Sequence, residues 1–325
     1  MFKICLIGCG NMAHSGHGPA CRTYAERYPD TELSACCDLR TERTELFCRE
    51  FGFKRAYTDY RVMLDAEKPD AVLVIMPVPL TAEVAIDVME RGYNVILEKP
   101  PGVSVEEAMA IHNCAVKNGV HARVALNRRY MPLLRAMKEE IAACGEKPVF
   151  ADCQFLRVGR TDADFCTTAI HAIDSVRFIL GQDYREARFE YQEYPYKNDR
   201  VGMNFHIRGL YEDGAVSNIS FLPCSGCVAE RIFVSCTDHA FFAELPVWNG
   251  MDMPGRVVCA TAGKTYKEII GTHDTMYESS GFYTENECFF SEVRAGVPPY
   301  SDVAGAAQAV AIADAMRHRE KAYRK

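Results

Sequence analysis

At 325 residues the chain is too long for one comfortable hydrophobic core, so two domains are the natural expectation. Its 48% hydrophobic and 25% charged residues fit an ordinary globular protein, and no apolar run reaches the roughly 20 residues that cross a bilayer. A formal net charge of -7 gives nucleic acid and anionic membranes no reason to bind.

The N-terminal run MFKICLIGCG reads as a strand entering a glycine turn and not as a signal peptide, because its apolar stretch is short and feeds the fold directly. A cytoplasmic protein is expected. After that strand come a helix from about 12 to 27, the strand ELSACCD, a helix over 41–51 and the strand DAVLVIM at 70–76. A helix over 81–91, the strand NVILEK, a helix over 104–118 and the strand HARVAL at 121–126 complete the series. Strands alternating with helices imply βαβ units and a parallel, doubly wound sheet, so a Rossmann domain is expected over 1–124.

From 125 to 325 the pattern changes. After a helix near 131–144, strand-like runs dominate: VFADCQFLRV, ARFEYQEYPY, GMNFHIRGLYEDGAVSNISFL, AERIFVSCTDHAFFAEL and RVVCATAGKTYKEII. The turn signals Asp213-Gly214 and Ala262-Gly263-Lys264 sit between alternating runs, so antiparallel hairpins are expected. One helix over 167–180 interrupts the strands, and helices near 282–295 and 303–320 close the chain. The fold class is therefore α/β: a Rossmann domain followed by an α+β domain with a large, mostly antiparallel sheet. No Pro/Gly/Ser linker divides the two, so a ligand cleft between closely packed domains is expected, with the last helix returning to the first domain.

Fifteen cysteines, an odd number scattered among apolar neighbours, suggest reduced thiols and not a disulfide framework. Cys224-Ser225-Gly226-Cys227 is a lone C-x-x-C without a second pair at zinc spacing, and a loop is the expected reading; no metal is assigned.

Gly8-Cys9-Gly10-Asn11-Met12-Ala13 is G-x-G-x-x-A between the first strand and the first helix. Gly8 permits the tight turn, Gly10 lets the backbone approach a pyrophosphate, and the helix start at Asn11 and Met12 offers amide donors. The second strand ends in Asp38, where an acid accepts hydrogen bonds from the adenosine ribose and repels a 2′-phosphate. NAD is therefore expected. Arg40 offers partial compensation for a 2′-phosphate, which keeps NADP as the alternative. Pro77, Glu98 and Lys99, at the ends of the fourth and fifth strands, complete the expected cofactor set, since ligands of open α/β sheets sit beyond the strand carboxyl ends.

The chain resembles the Gfo/Idh/MocA family of sugar and cyclitol dehydrogenases. The resemblance rests on GCGNMA, MPVPLTAEVAIDVMERGYNVILEKP, ALNRRYMP, IHAID and the closing FYTENECFFSEVRAGVPPYSDVAGAAQAV. It implies an NAD(P)-dependent oxidoreductase moving hydride between nicotinamide and a secondary alcohol of a sugar, sugar acid or cyclitol. It also implies that Lys99 is the active-site lysine, often followed by a cis proline bond, and that His171 is the general base. Asp174 is the acid after that histidine, and whether it orients the imidazole or holds a buried network is open. The chemistry agrees: an imidazole titrates near neutrality, and an ammonium stabilises a developing alkoxide. Asn127 and Arg128, with Arg129, follow the sixth strand where the family lines its substrate site, and an arginine there either binds substrate or braces the crossover. Tyr283 and Asn286 open a late helix where they either close the site or simply pack the helix start. Asp152 and Asp164 offer sugar-binding carboxylates, although spacing does not select them.

Departures from the family pattern argue against assuming inositol or glucose. Thr167 replaces an aspartate four residues before His171, Thr81 stands where a histidine is frequent, and Met131 replaces an acid. His14 and His17 in AHSGHG read equally as groups near the site and as a solvated loop. Two other readings compete: an NAD-dependent glycosidase using transient oxidation at C3, and a non-catalytic nucleotide-binding regulator. The resemblance further suggests a homodimer or homotetramer, with Phe205, Ile207, Leu210, Ile232, Phe233 and Val234 burying a sheet face.

Overall fold

The computed structural model describes residues 1–161, 165–272 and 274–325. They fall into two compact units, Met1–Asn127 with Gly281–Val310, and Arg128–Ser280 with Ala311–Lys325. The chain thus passes from one unit to the other at 127/128, and the segment 281–310 is part of the first unit. Among the described residues no helix is long and apolar enough to cross a membrane.

The first unit holds six strands: β1 (Phe2–Ile7), β2 (Thr31–Cys37), β3 (Arg55–Tyr57), β4 (Ala71–Val74), β5 (Asn94–Glu98) and β6 (Ala122–Ala125). Their order is β3-β2-β1-β4-β5-β6 and every pairing is parallel. The apolar runs make this sheet because helices cover both faces: β4 and β6 are buried at every residue. Around them lie α1 (Gly18–Arg27), α2 (Thr41–Phe51), α3 (Tyr60–Glu67), α4 (Val78–Glu90) and α5 (Val105–Asn118). Neither β3 nor α3 was legible beforehand. β3 is three residues, too short for periodicity, and is held by side chains: Tyr57 donates to Glu67 at 2.7 Å, and Arg55 bonds the same carboxylate. The chain order turns back between β1 and β4, the point where such sheets open to ligands.

The second unit carries β7 (Phe150–Leu156), β8 (Tyr184–Tyr196), β9 (Arg200–Tyr211), β10 (Val216–Leu222), β11 (Ala229–Ser235), β12 (His239–Leu245), β13 (Arg256–Thr261), β14 (Lys264–Ile270) and β15 (Ala322–Arg324). They form one nine-stranded sheet, ordered β14-β13-β12-β11-β7-β10-β9-β8-β15. Only β7–β10 is parallel; the other pairs are antiparallel. The expected hairpins form at Asp213-Gly214, where Asp213 accepts from the Ala215 amide at 3.0 Å, and at Ala262-Gly263, where both residues have positive φ. Two helices, α6 (Pro132–Ala143) and α7 (Cys166–Leu180), pack on this sheet. Residues Ala151, Cys153 and Phe155 of β7 are buried, so α7 covers one face and the alternate residues point the other way.

Candidate active site

At the carboxyl edge of the first sheet, Cys37, Ile7, Val74, Leu97 and Val124 lie in one register across five strands. The next residue on four of these strands is Asp38, Gly8, Ile75 and Glu98, with Lys99 one further on. Gly8 has φ +95°, and a Cβ there would lie 2.1 Å from the Ile75 carbonyl oxygen, so glycine is obligatory. Gly10 differs: a Cβ on it would meet nothing within 4 Å. Its open face leads to the exposed start of the first helix at Asn11 and Met12, whose first-turn amides have no intrahelical acceptor. This is a cradle that a side chain would fill and a pyrophosphate fits. Asp38 is clasped to the turn, with Oδ2 accepting from the Cys9 amide at 3.1 Å and Oδ1 from the Arg40 amide at 3.0 Å. Its remaining lone pairs suit ribose hydroxyls. The Arg40 side chain is exposed, as is Pro77 at the N-cap of α4.

Glu98 is buried beside this edge. Its Oε2 accepts from the Lys99 amide at 3.0 Å and its Oε1 lies 3.1 Å from His17 Nε2. Burial raises its pKa, but the hydrogen bond and charge of His17, with Lys99, outweigh this and hold the carboxyl below its ordinary value. His17 Nδ1 meets Asn286 Oδ1 at 3.2 Å, so His17 bridges β5 and the late helix α8 (Phe282–Arg294). The solvated-loop reading of AHSGHG is overturned. His17 is fully buried in a π-helical turn over Ala13–His17, and His14 packs on Phe47 and Phe51 beside Glu50. Gly16 allows this, because a Cβ there would approach the Phe282 ring to 2.7 Å. The Lys99–Pro100 bond is cis, as the resemblance implied.

In the second unit, His171 is buried on α7 with Nε2 3.4 Å from Arg128 Nη1. Arg128 begins this unit in a one-turn 3-10 helix over Asn127–Tyr130; Asn127, buried, ends the first. Arg128 bonds Glu230 through Nε at 3.1 Å and Nη2 at 2.7 Å, and Arg157 bonds the same carboxylate. Burial raises the Glu230 pKa and the two guanidiniums lower it further, leaving it below its ordinary value. Sequence reasoning missed Glu230, although its signal was present: it shares the inward alternation of Ile232 and Val234 on β11 (Ala229–Ser235).

Asp174 is occupied elsewhere. Its carboxylate takes a two-pronged bond from Arg129, with Nε to Oδ2 at 2.7 Å, which makes a buried ion pair. Tyr283 turns into the first unit: its hydroxyl donates to Glu287 at 2.6 Å and Arg27 lies 4.2 Å from its ring centroid. Asn286 holds His17. Asp152 occupies the outward alternation of β7, on the face away from α7, and Asp164 lies outside the described residues.

Residues 2–126 match the family model of oxidoreductases with an NAD-binding Rossmann fold, GFO_IDH_MocA. The first domain is therefore similar to the NAD-binding domain of that family. It is 25% identical over 193 residues to D-glucoside 3-dehydrogenase of Escherichia coli K12, covering 55% of this chain and 54% of that protein. It is 28% identical over 165 residues to scyllo-inositol 2-dehydrogenase (NAD(+)) of Bacillus subtilis 168, covering 48% of each. The chain thus spans about half the length of the curated relatives it matches first. Over its whole length it superposes on a Gfo/Idh/MocA family oxidoreductase from Vibrio cholerae, with a TM-score of 0.80, 19% identity and 98% of both chains covered. That likeness is one of fold and covers both units.

Proposed function

We propose that the protein is an NAD-dependent dehydrogenase acting on a secondary alcohol of a sugar, sugar acid or cyclitol. The observation that carries this reading is the carboxyl edge of the first sheet, where the open glycine turn, the clasped Asp38 and Lys99 lie within two residues of one strand register. Bound NAD supplies a hydride acceptor at the nicotinamide ring. Asp38 is assigned to the adenosine ribose, and the amides after Gly10 to the pyrophosphate. Lys99 is assigned to hold the substrate hydroxyl and offset the negative charge that develops as it loses its proton. His171 is assigned to receive that proton, with Arg128 and Glu230 fixing its ring. Asn127 is retained as a candidate substrate contact. The relatives' names, a glucoside and an inositol dehydrogenase, support the substrate class.

The direct test is an NAD-reduction screen over sugars, sugar acids, cyclitols and their phosphates. Stoichiometric NADH from one of them is the expected result. Aglycone release from a glycoside without net NADH would replace dehydrogenation with the glycosidase reading.

We also infer a cytoplasmic, self-associating protein. Supporting self-association, the outward sheet face of the second unit carries Phe233 against Phe242, ring centroids 4.7 Å apart, with Phe242 48% exposed. A groove of ≈ 930 Å³ lies on the same sheet, lined by Asp152, Arg188, His206 and Asn218 among others. Ile207, Ile232 and Val234 instead point inward and are buried. A monomer by light scattering refutes the association.

A further inference from the structure

Away from every residue assigned above, the second unit brings together two thiols and a carboxylate. Cys144 caps the C-terminus of α6, and Gly145, at φ +73°, turns the chain so that Glu146 follows immediately. Cys236 closes β11, and with His239 it forms C-x-x-H across the tight turn into β12 (His239–Leu245), where the Cys236 amide donates to the His239 carbonyl at 2.8 Å. The Sγ atoms of Cys144 and Cys236 and a carboxylate oxygen of Glu146 all lie within 4.8 Å of one another. Among the described residues no other group of histidine, cysteine, aspartate and glutamate is gathered this way.

We propose that Cys144, Cys236 and Glu146 form a binding site for one thiophilic divalent cation of the zinc type, with His239 orienting the carboxylate. Zinc holds sulfur at about 2.3 Å and carboxylate oxygen at about 2.1 Å, so tetrahedral ligands stand roughly 3.6–3.8 Å apart. Closing from 4.8 Å needs movements of about 1 Å, well within side-chain reach. Two thiolates with one carboxylate match the soft and borderline donors that such a cation selects over magnesium or calcium. The outer shell is already built. Glu146 Oε1 is 2.9 Å from His239 Nδ1, and Oε2 accepts from the Asp238 amide at 2.9 Å, which fixes the carboxylate as a ligand requires.

Charge is consistent with an ion that replaces protons. On binding, each S–H bond breaks, both protons leave to solvent, and each sulfur donates its freed pair to the metal. The bound ion would pin the end of α6 to the β11–β12 turn. This is a structural clamp, independent of the dehydrogenase chemistry.

The test uses the full chain, stripped of metal, kept reduced, and incubated with zinc. Gel filtration followed by elemental mass spectrometry should find one zinc retained per chain, and cadmium in its place should raise an ultraviolet thiolate-to-metal band. The C144S/C236S double variant should lose both signals, whereas C224S/C227S should keep them. E146Q, which preserves both thiols, should weaken zinc in a chelator competition by about tenfold or more, and serves if the double variant misfolds. Three results overturn the site: no zinc on the wild-type chain, equal zinc affinity in E146Q, or a Cys144–Cys236 disulfide that forms in place of metal under the same conditions.

Discussion

Arg128 Nη1 lies 3.4 Å from His171 Nε2, and both side chains are buried. A guanidinium only donates, so in this contact the imidazole accepts at Nε2 with its own proton on Nδ1, and Arg128 must release that lone pair before Nε2 takes the substrate proton. Glu230 holds the guanidinium by two bonds, so the tautomer of the assigned base is set by a residue on β11, 59 positions further along the chain.

Replacing Arg128 with lysine keeps the charge and loses the planar fork. R128K is therefore expected to lower kcat about tenfold or more while the melting temperature stays within a few degrees of wild type. Steady-state kinetics with the substrate found in the screen, beside a thermal melt, decides it. Unchanged kcat removes Arg128 from the positioning role.

K99A and H171A, each folded, should cut turnover by about 10²-fold or more if these groups move or stabilise the proton. Nucleotide affinity should survive in H171A, as read by quenching of NADH fluorescence. Near-wild-type turnover in either variant rejects that residue's assignment.

D38A removes the acceptor of the Cys9 amide and the assigned ribose ligand together. Hydrogen bonds to a charged group contribute about 1.5–3 kcal/mol, or roughly ten- to a hundredfold. The kcat/KM with NAD should fall by that factor, and the preference over NADP should narrow. A wild-type enzyme that already uses both cofactors equally contradicts the role given to Asp38.

The two glycines of the turn should separate folding from binding. G8A forces a Cβ against the Ile75 carbonyl at positive φ, so a stability loss of more than ~2 kcal/mol is expected in denaturant unfolding. G10A meets only open space and should keep wild-type stability while losing nucleotide affinity. Equal NADH titrations for G10A and wild type contradict the pyrophosphate cradle.

Glu230 gives a stability prediction with a definite sign. Its folded pKa is depressed below the ordinary 4.5, so its contribution is complete above that value and fades as pH falls through the lower folded one. E230Q removes the carboxylate charge that the Arg128 and Arg157 guanidiniums share and should cost about 3–5 kcal/mol at pH 7. The gap to wild type should shrink on acidification below 4.5. A gap that stays constant down to pH 3 refutes the depressed pKa.

The parallel sheet was legible because its strands are buried on both faces and read as unbroken apolar runs, and the helix over 41–51 was found at its true ends. The glycine turn, Asp38 and the E-K-P after β5 were equally plain, since each is a short motif at a fixed place relative to a strand. The three-residue β3 was not, because its side chains are anchored by Glu67, ten or more positions away. His17 reads equally as solvated and as near the site because nothing local shows that the chain inserts an extra residue into the helical turn and carries the imidazole to Glu98.

The sequence by itself determined the layer architecture, the nucleotide fingerprint and which residues carry titratable chemistry, because these follow from periodicity and from motifs a few residues long. Tertiary structure alone decided partners. Asp174 went to Arg129 and not to His171, Tyr283 to Glu287 and Arg27, and Arg128 to Glu230 and His171. A buried charge must be neutralised by whatever the fold brings within about 3 Å, and that choice is made across the sheet, where distance along the chain carries no information.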